Sequence, residues 1–332
     1  MKPACLLTAL LIGAATPAMA QETLLMASLT PSGTTMSMFF NNWAQKVNEA
    51  AKGAIKVEVK DGITLATFAT AYDRVTADVI QIGWTQQGLV PGKFPLSEVP
   101  QLPFIVDSDE DCAATLWRFY KSGIVTAEYN DTVPLFFGCL GLLDLHFSKA
   151  PPTIDHLNGQ KISVRGKVPS RLIGLLGATP LSLPPDDMYP ALQRGTINGV
   201  LASWATFEPY RLIEVTAYHL EAPLGSAPSM IFMAKKKYDA LPAAARKALD
   251  DNAGEATSRA MARDIAVMSQ RGRAAAEKAP DKHKIVQLSA AQRADWEKKA
   301  APAVQEWAQE RSGGDKAIDA FRKLYADVKA KR

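Results

Sequence analysis

The stretch Lys161-Ile-Ser-Val-Arg-Gly166 places a permanent cation at the end of a short alternating run. Ile162 and Val164 point to one face of a strand, and Lys161, Ser163 and Arg165 to the other. Arginine grips a carboxylate through two parallel hydrogen bonds and keeps its charge at any pH a protein meets. Arg165 is thus a candidate anion clamp at the mouth of a strand, with an ion pair inside the protein as the alternative use. Three further groups share that placement. Ser203 and Trp204 follow the apolar run Ile197–Ala202, where a hydroxyl and an indole could donate to a ligand or stack on it; Trp204 suits core packing equally. Thr85 and Gln86 end another run, bracketed by Gly83 and Gly88. Thr30 lies in the turn Leu29-Thr-Pro-Ser-Gly-Thr34, a strand-to-helix junction whose free N–H groups suit an anion, and Tyr72 and Asp73 lie on the next helix or loop. Their common position at strand ends points to a ligand cleft.

The elements that must hold these residues alternate. Residues 24–28 read as an apolar strand, and Met38, Phe39, Trp43, Val47 and Ala50 recur at helical spacing until Gly53. Strands follow at 55–59 and 79–85, with a helix over about 67–78 between them. The same succession continues through the middle of the chain. This is the pattern of an α/β fold with largely parallel sheets. From Pro242 to about Ala279 the sequence reads as one long helix, interrupted only by Gly254 before the late Gly272. Ser289 and Gln292 have the spacing of a capping box for a helix carrying Trp296 and Trp307, and a last helix covers about 315–330. In two-domain folds of this kind, ligands bind at the carboxyl ends of parallel strands and between the domains.

The chain has 332 residues, 47% of them hydrophobic, which suits two domains. Its first 20 residues read as a cleavable secretion signal: Lys2, an apolar run from Cys5 to Ala15, and the small-residue pattern Ala18-Met19-Ala20 before Gln21. An exported protein located in the periplasm is therefore expected. Without Lys2 the net charge of +4 becomes +3, too weak and too evenly spread for nucleic-acid binding. Cys112 and Cys139 remain, either as a disulfide in an oxidising compartment or as two buried thiols. No nucleophile motif, zinc motif, phosphate loop or Cys-x-x-Cys pair occurs, and the four histidines are scattered; no enzyme activity, cofactor or metal is expected. Asp107, Asp109 and Asp111 have the spacing of a calcium loop, but Cys112 and Arg118 stand where that loop needs glycine and glutamate. A helix N-terminus accounts for them better.

Two long stretches, residues 80–104 and 157–204, resemble the substrate-binding proteins of TRAP transporters, the tripartite ATP-independent periplasmic systems of the DctP family. Residues 214–225 and 235–249 fit the same family. The resemblance implies two α/β domains in the type II periplasmic-binding-protein architecture, joined by crossing strands and a long hinge-spanning helix. The expected division is 21–141 with 228–270, and 142–227 with 271–332. It also implies a small organic anion closed between the domains and passed to a sodium-driven TRAP permease. Two departures bear on the ligand. The family's carboxylate-clamping arginine falls on Ser163, with Arg165 two residues on along the same face; Lys161 and Arg171 are possible substitutes. A ligand-reaching asparagine is replaced within Val200-Leu-Ala-Ser203. The pocket is thus expected to suit an aromatic or aliphatic carboxylate better than a sugar acid. A receptor for a sensor kinase or for another transporter remains open on the same residues. The amphipathic helix near 291–310 is expected to cover the protein's own sheet, leaving a monomer.

Overall fold

The structure, a computed structural model, describes residues 21–331; the secretion signal expected in residues 1–20 lies outside them. Eleven strands and ten α-helices are laid out along the described chain. The order begins β1 (Glu22–Ala27), α1 (Thr35–Ala51), β2 (Ile55–Lys60), α2 (Ala71–Thr76), β3 (Ile82–Gln86), α3 (Asp109–Lys121) and β4 (Thr132–Leu142). It continues β5 (Asp144–Phe147), β6 (Lys161–Ser163), α4 (Lys167–Leu175), β7 (Thr179–Leu181), α5 (Pro185–Gln193), β8 (Gly199–Ala202) and β9 (Tyr218–Glu221). Then come β10 (Ser226–Ala234), α6 (Lys235–Ala240), α7 (Ala243–Asp251), α8 (Gly254–Glu277), β11 (Lys284–Gln287), α9 (Ala290–Gln309) and α10 (Gly314–Lys329).

The strands form two sheets, ordered β2-β1-β3-β10-β4 and β11-β9-β5-β8-β6-β7. In the first, β1 runs parallel to β2 and β3, while β10 is antiparallel to β3 and β4. In the second, β6 runs parallel to β7 and β8, and β5 is antiparallel to β8 and β9. Each sheet has its own core. Phe40, Val47, Ile82, Phe136, Met230 and Phe232 belong to the first; Leu145, Phe147, Ile162, Leu172 and Leu220 belong to the second. This two-sheet α/β arrangement is the one expected, although both sheets are mixed rather than largely parallel, because β10 and β5 run antiparallel to their neighbours.

Three connections that join the sheets lie beside the site, and α9 makes a further one. β4 runs through Leu143 into β5, and β9 returns through 222–225 into β10. Where these two segments pass, Leu143 N donates to Gly225 O at 2.8 Å and Leu224 N to Leu143 O at 3.0 Å. The third is α8, whose Met261 and Ile265 pack in the first core while Ala276 packs in the second sheet's Trp204 and Phe207 cluster. Gly272 lets α8 pass close to β8: a Cβ there would lie 2.3 Å from Trp204 O.

The long helix expected over 242–279 is broken. α7 ends at Asp251, and α8 restarts at Gly254, whose φ of +88° no interior helical residue adopts. Asn252 holds the break open, because its carbonyl accepts from Trp43 Nε1 at 2.8 Å and Thr257 Oγ1 at 2.9 Å instead of continuing the helix. Cys112 on α3 and Cys139 on β4 are disulfide-bonded, with Cα atoms 6.0 Å apart. Closing a loop with a sequence separation of 27 stabilises a fold by about 3.5 kcal/mol. The acidic run 107–111 does open a helix: Ser108 caps α3, and Asp109, Glu110 and Asp111 occupy its first turn. The capping box at Ser289 and Gln292 forms. α9 spends its apolar face inside the protein, Trp296 in the second core and Trp307 in the first. α10 packs Ile318, Phe321 and Tyr325 into the first core, although the sequence division groups 271–332 with the second sheet.

Candidate functional site

The carboxyl ends of the parallel strands in both sheets open toward one cleft. From the first sheet come Thr30 after β1, Ile63 and Phe68 after β2, and Trp84 and Gln86 on β3. From the second come Arg165 after β6, Asp186 after β7, and Ser203, Thr206 and Tyr210 after β8. Leu143 of the crossing segment and Ile265 and Met268 of α8 form its base. The cavity measures about 360 Å³, room for a small organic molecule rather than a chain. Its lining is mainly apolar, with few polar groups among aromatic and aliphatic side chains.

Arg165 is held by a change of direction. β6 ends at Ser163, Val164 N donates to Leu181 O at 2.9 Å, and Gly166, at φ +93°, turns the chain into α4. The arginine is left projecting from the strand end, half-buried, and its Nη1 is buried with no hydrogen-bond partner among the described residues. It makes no ion pair among them either. Burial pulls its pKa below the usual arginine value, and the Tyr210 phenol offsets part of that. The group stays charged all the same. A buried cation lacking a counter-ion is costly to a fold, so an anion entering this cleft gains the interaction that the protein withholds. Gln86 lies close by, because it and Arg165 also share a side pocket of about 20 Å³.

The opposite wall is built with similar care. Asp61 braces the β1–α1 junction by accepting from Ser28 Oγ at 2.7 Å and Ser37 Oγ at 2.8 Å. Gly62 N donates to Thr30 O at 2.7 Å, and Leu29 is held at φ +59°, a conformation rare for leucine. Thr30 Oγ1 is thereby buried without a partner among the described residues. Trp84, 3% exposed, is fixed edge-on by Phe40 and Phe68, with ring centroids 5.1 and 4.8 Å away, and its Nε1 too lacks a partner among them.

Of the residues singled out in the sequence, Arg165, Ser203, Gln86 and Thr30 come together in this cleft, and Thr85, Trp204, Ser163 and Tyr72 lie outside its lining. Strand geometry explains the split, since successive side chains leave opposite faces. Gln86 and Trp84 share the cleft face of β3, so Thr85 points away; fully buried, it donates to Phe68 O at 2.7 Å and holds the Phe68 loop. Ser203 faces the cleft while donating to Leu140 O at 2.8 Å, and Trp204 turns to the far side and donates to Glu221 Oε1 at 3.1 Å. Ser163 is buried in the sheet, opposite Val200 and Leu181. Tyr72 stacks on Phe232 at 5.9 Å and lines a surface depression with Lys93 and Asp131. The substitute cations are not in the lining either. Lys161 is exposed, and Arg171 makes a bidentate ion pair with Glu306. Trp84, Phe68 and Tyr210 were not anticipated as cleft residues. Strict alternation from Gln86 would have found Trp84.

A second cavity, about 410 Å³, lies on the far side of the crossing strands and holds Trp204. Asp107, Asp109, Asp144 and Glu221 line it against a single arginine, Arg293. Burial raises Asp109 to about 7, with a backbone hydrogen bond at Gly141 opposing the rise, and raises Asp144 well above the usual range. Its arginine, Arg293, is already paired with Glu297, so this lining offers no cation left open as Arg165 is, and the chemistry of the first cleft is not repeated here.

Comparison with known proteins agrees with this geometry. Residues 26–310 match the bacterial extracellular solute-binding protein family 7, DctP. The chain belongs to this family. Among solved structures, this solute-binding protein is similar to a marine metagenome TRAP solute-binding protein specific for aromatic acid ligands, from an unidentified microbe, in complex with metahydroxyphenylacetate. Identity is 26% and the TM-score 0.86, over 93% of this chain and 99% of that one. A TRAP solute-binding protein from Rhodoferax ferrireducens T118, in complex with copurified benzoate, is 26% identical with a TM-score of 0.85 over the same shares. The outer membrane transporter protein TsaT of Comamonas testosteroni is 26% identical over 77% of this chain and 78% of its own. The chain is thus a two-domain TRAP-type solute-binding protein of an extracytoplasmic family.

Proposed function

We propose that this protein is a periplasmic receptor that closes on a small aromatic carboxylate and delivers it to a sodium-driven TRAP permease. The observation that carries the reading is Arg165, a half-buried cation whose buried Nη1 has no partner and which makes no ion pair among the described residues, in the lining of an apolar cleft with aromatic walls. The carboxylate pairs with its guanidinium, and the ring lies among Phe68, Leu143 and Met268. Arg165 takes over from Ser163, which the sheet keeps for itself. Aromatic acids bound to the two similar structures support the ligand class. The cleft is built from both sheets, so the ligand would bridge them. Closure would exclude water and strengthen the ion pair. The protein works as a monomer, exported by the signal in residues 1–20, with 21–141 and 228–270 as one lobe and 142–227 with 271–332 as the other, the C-terminal helix reaching back across the first. It performs no chemistry on its ligand.

The test is thermal melting of the mature, ligand-free protein with benzoates, phenylacetates, 2-oxo acids, C4-dicarboxylates and sugar acids. A ligand that binds only the folded state raises the melting temperature as its concentration exceeds Kd. Aromatic carboxylates should shift the transition at micromolar concentrations. A shift confined to sugar acids or C4-dicarboxylates would refute the ligand class, and no shift with any carboxylate would refute the anion-receptor reading.

A further inference from the structure

We propose, building on the aromatic-carboxylate reading, that the natural ligand carries a hydroxyl on its ring, read by Trp84 and Thr30 on the wall opposite Arg165. An indole N–H can only donate, and a buried one usually finds an acceptor. Three other buried indoles do: Trp43 donates to Asn252 O at 2.8 Å, Trp204 to Glu221 at 3.1 Å, and Trp296 to Ile154 O at 3.0 Å; Trp307 Nε1, outside the cleft, has no hydrogen-bond partner among the described residues but lies beside the Glu98 carboxylate. Trp84 Nε1, in the cleft lining, has none among the described residues. Its ring cannot swing to seek one, because Phe40 and Phe68 clamp it edge-on and β3 pairs with β10 beneath it. The acceptor must come with the ligand.

Thr30 narrows the class. Its Oγ1 is buried and unpartnered in the same lining, on a junction that Asp61 and Gly62 hold rigid. A threonine hydroxyl both donates and accepts. One phenolic hydroxyl completes both groups: it accepts from the indole N–H and donates to Thr30 Oγ1. An ether or ketone oxygen can only accept. An unsubstituted ring leaves a buried donor unpaired, which a site built for hydrogen bonding penalises. Both readers belong to the first sheet and Arg165 to the second, so a hydroxylated acid has one polar end for each wall. Such a ligand ties closure to its own length in a way that a plain ring does not.

Titration calorimetry on the ligand-free protein tests this with benzoate, phenylacetate and the 3-hydroxy and 4-hydroxy form of each. At least one hydroxylated acid should bind about tenfold or more tighter than its parent. In Trp84→Phe that ratio should fall to about one, and in Thr30→Val, which keeps the indole, it should shrink severalfold. If Trp84→Phe does not fold, the ratio in Thr30→Val decides. Equal binding of plain and hydroxylated acids by the unaltered protein, or a preference that survives both substitutions, would overturn the inference and leave the aromatic-carboxylate reading standing. Binding of neither plain nor hydroxylated acids would refute both.

Discussion

Trp84 and Trp204 are both buried indoles near the carboxyl end of a strand, and both lie close to the space between the sheets. Trp204 is fully occupied. Its N–H donates to Glu221, which also accepts from Arg273 and Gln287, and its ring packs on His146, Phe207 and His219 at centroid distances of 4.5–4.7 Å. The histidines are chained in turn: His146 Nδ1 to His219 Nδ1 at 3.1 Å, and His219 Nε2 to His283 Nδ1 at 3.2 Å. Trp84 has aromatic neighbours of the same kind but no partner for its N–H among the described residues. The Trp204 N–H is satisfied within the protein, and its ring packs as core. Around Trp84, Thr30 and Arg165 polar atoms are left without a partner among the described residues, as the proposed site requires. Residue type does not separate these two indoles; their partners do.

The contrast is broken most severely at Arg165. Replacing a buried arginine that serves a structural ion pair costs stability, because its partner is stranded. Here Arg165→Ala should leave the ligand-free melting midpoint unchanged or raised. Affinity for the carboxylate should fall by about 3 kcal/mol, or roughly a hundredfold, by calorimetry. A large drop in ligand-free stability with intact affinity would move Arg165 to the structural side of the comparison.

Trp204→Phe should show the reverse. Loss of the bond to Glu221, whose Oε1 keeps its bond from Arg273 Nε, together with the smaller buried ring, should cost about 1 kcal/mol in urea unfolding, with ligand affinity within twofold of the original. A collapse in affinity would show that Trp204 belongs to the site after all.

The histidine chain gives a smaller, pH-dependent difference. Burial is the main cause that lowers His146 well below the usual histidine value and His219 to about 3, with the neighbouring histidine adding to each. A folded-state pKa below the unfolded one means that the neutral rings stabilise the fold fully above about pH 6.5, and that this is lost as pH falls toward the folded values. Buried Asp109 and Asp144, raised by burial, act in the opposite sense, so the comparison is made against a variant at each pH. The stability gap between the protein and His219→Gln should narrow by about 1 kcal/mol from pH 7.5 to pH 5.5 in urea melts. A gap that stays constant or widens would show that the chain is not held neutral by burial.

Much of this organisation was legible in the sequence. The alternation of short apolar runs with helical spacing carried the two α/β sheets, and Arg165 stood out because a guanidinium at a strand end suits an anion, although an internal ion pair suited the same pattern. What was not legible lay in direction and pairing. Thr85 and Trp84 differ by one position, and only the known face of β3 says which reaches the cleft. Ser163 and Arg165 share a strand face by parity, but the strand stops at Ser163 and Gly166 redirects the chain, so one is absorbed by the sheet and the other freed from it. The long helix over 242–279 looked continuous because alanine, lysine and arginine favour helix throughout, while its break depends on Trp43, two hundred residues away in sequence. The Cys112–Cys139 pair was open for the same reason: spacing says nothing about which strand a helix packs on.

The most direct test of the central claim is a crystal structure of the ligand-free protein soaked or co-crystallised with benzoate. The account predicts the carboxylate in bidentate contact with Arg165, in the cleft between the two sheets, with the ring toward Phe68 and Trp84. A carboxylate held by Lys161, by Ser163 or in the acidic cavity beside Trp204, with Arg165 untouched, would contradict it.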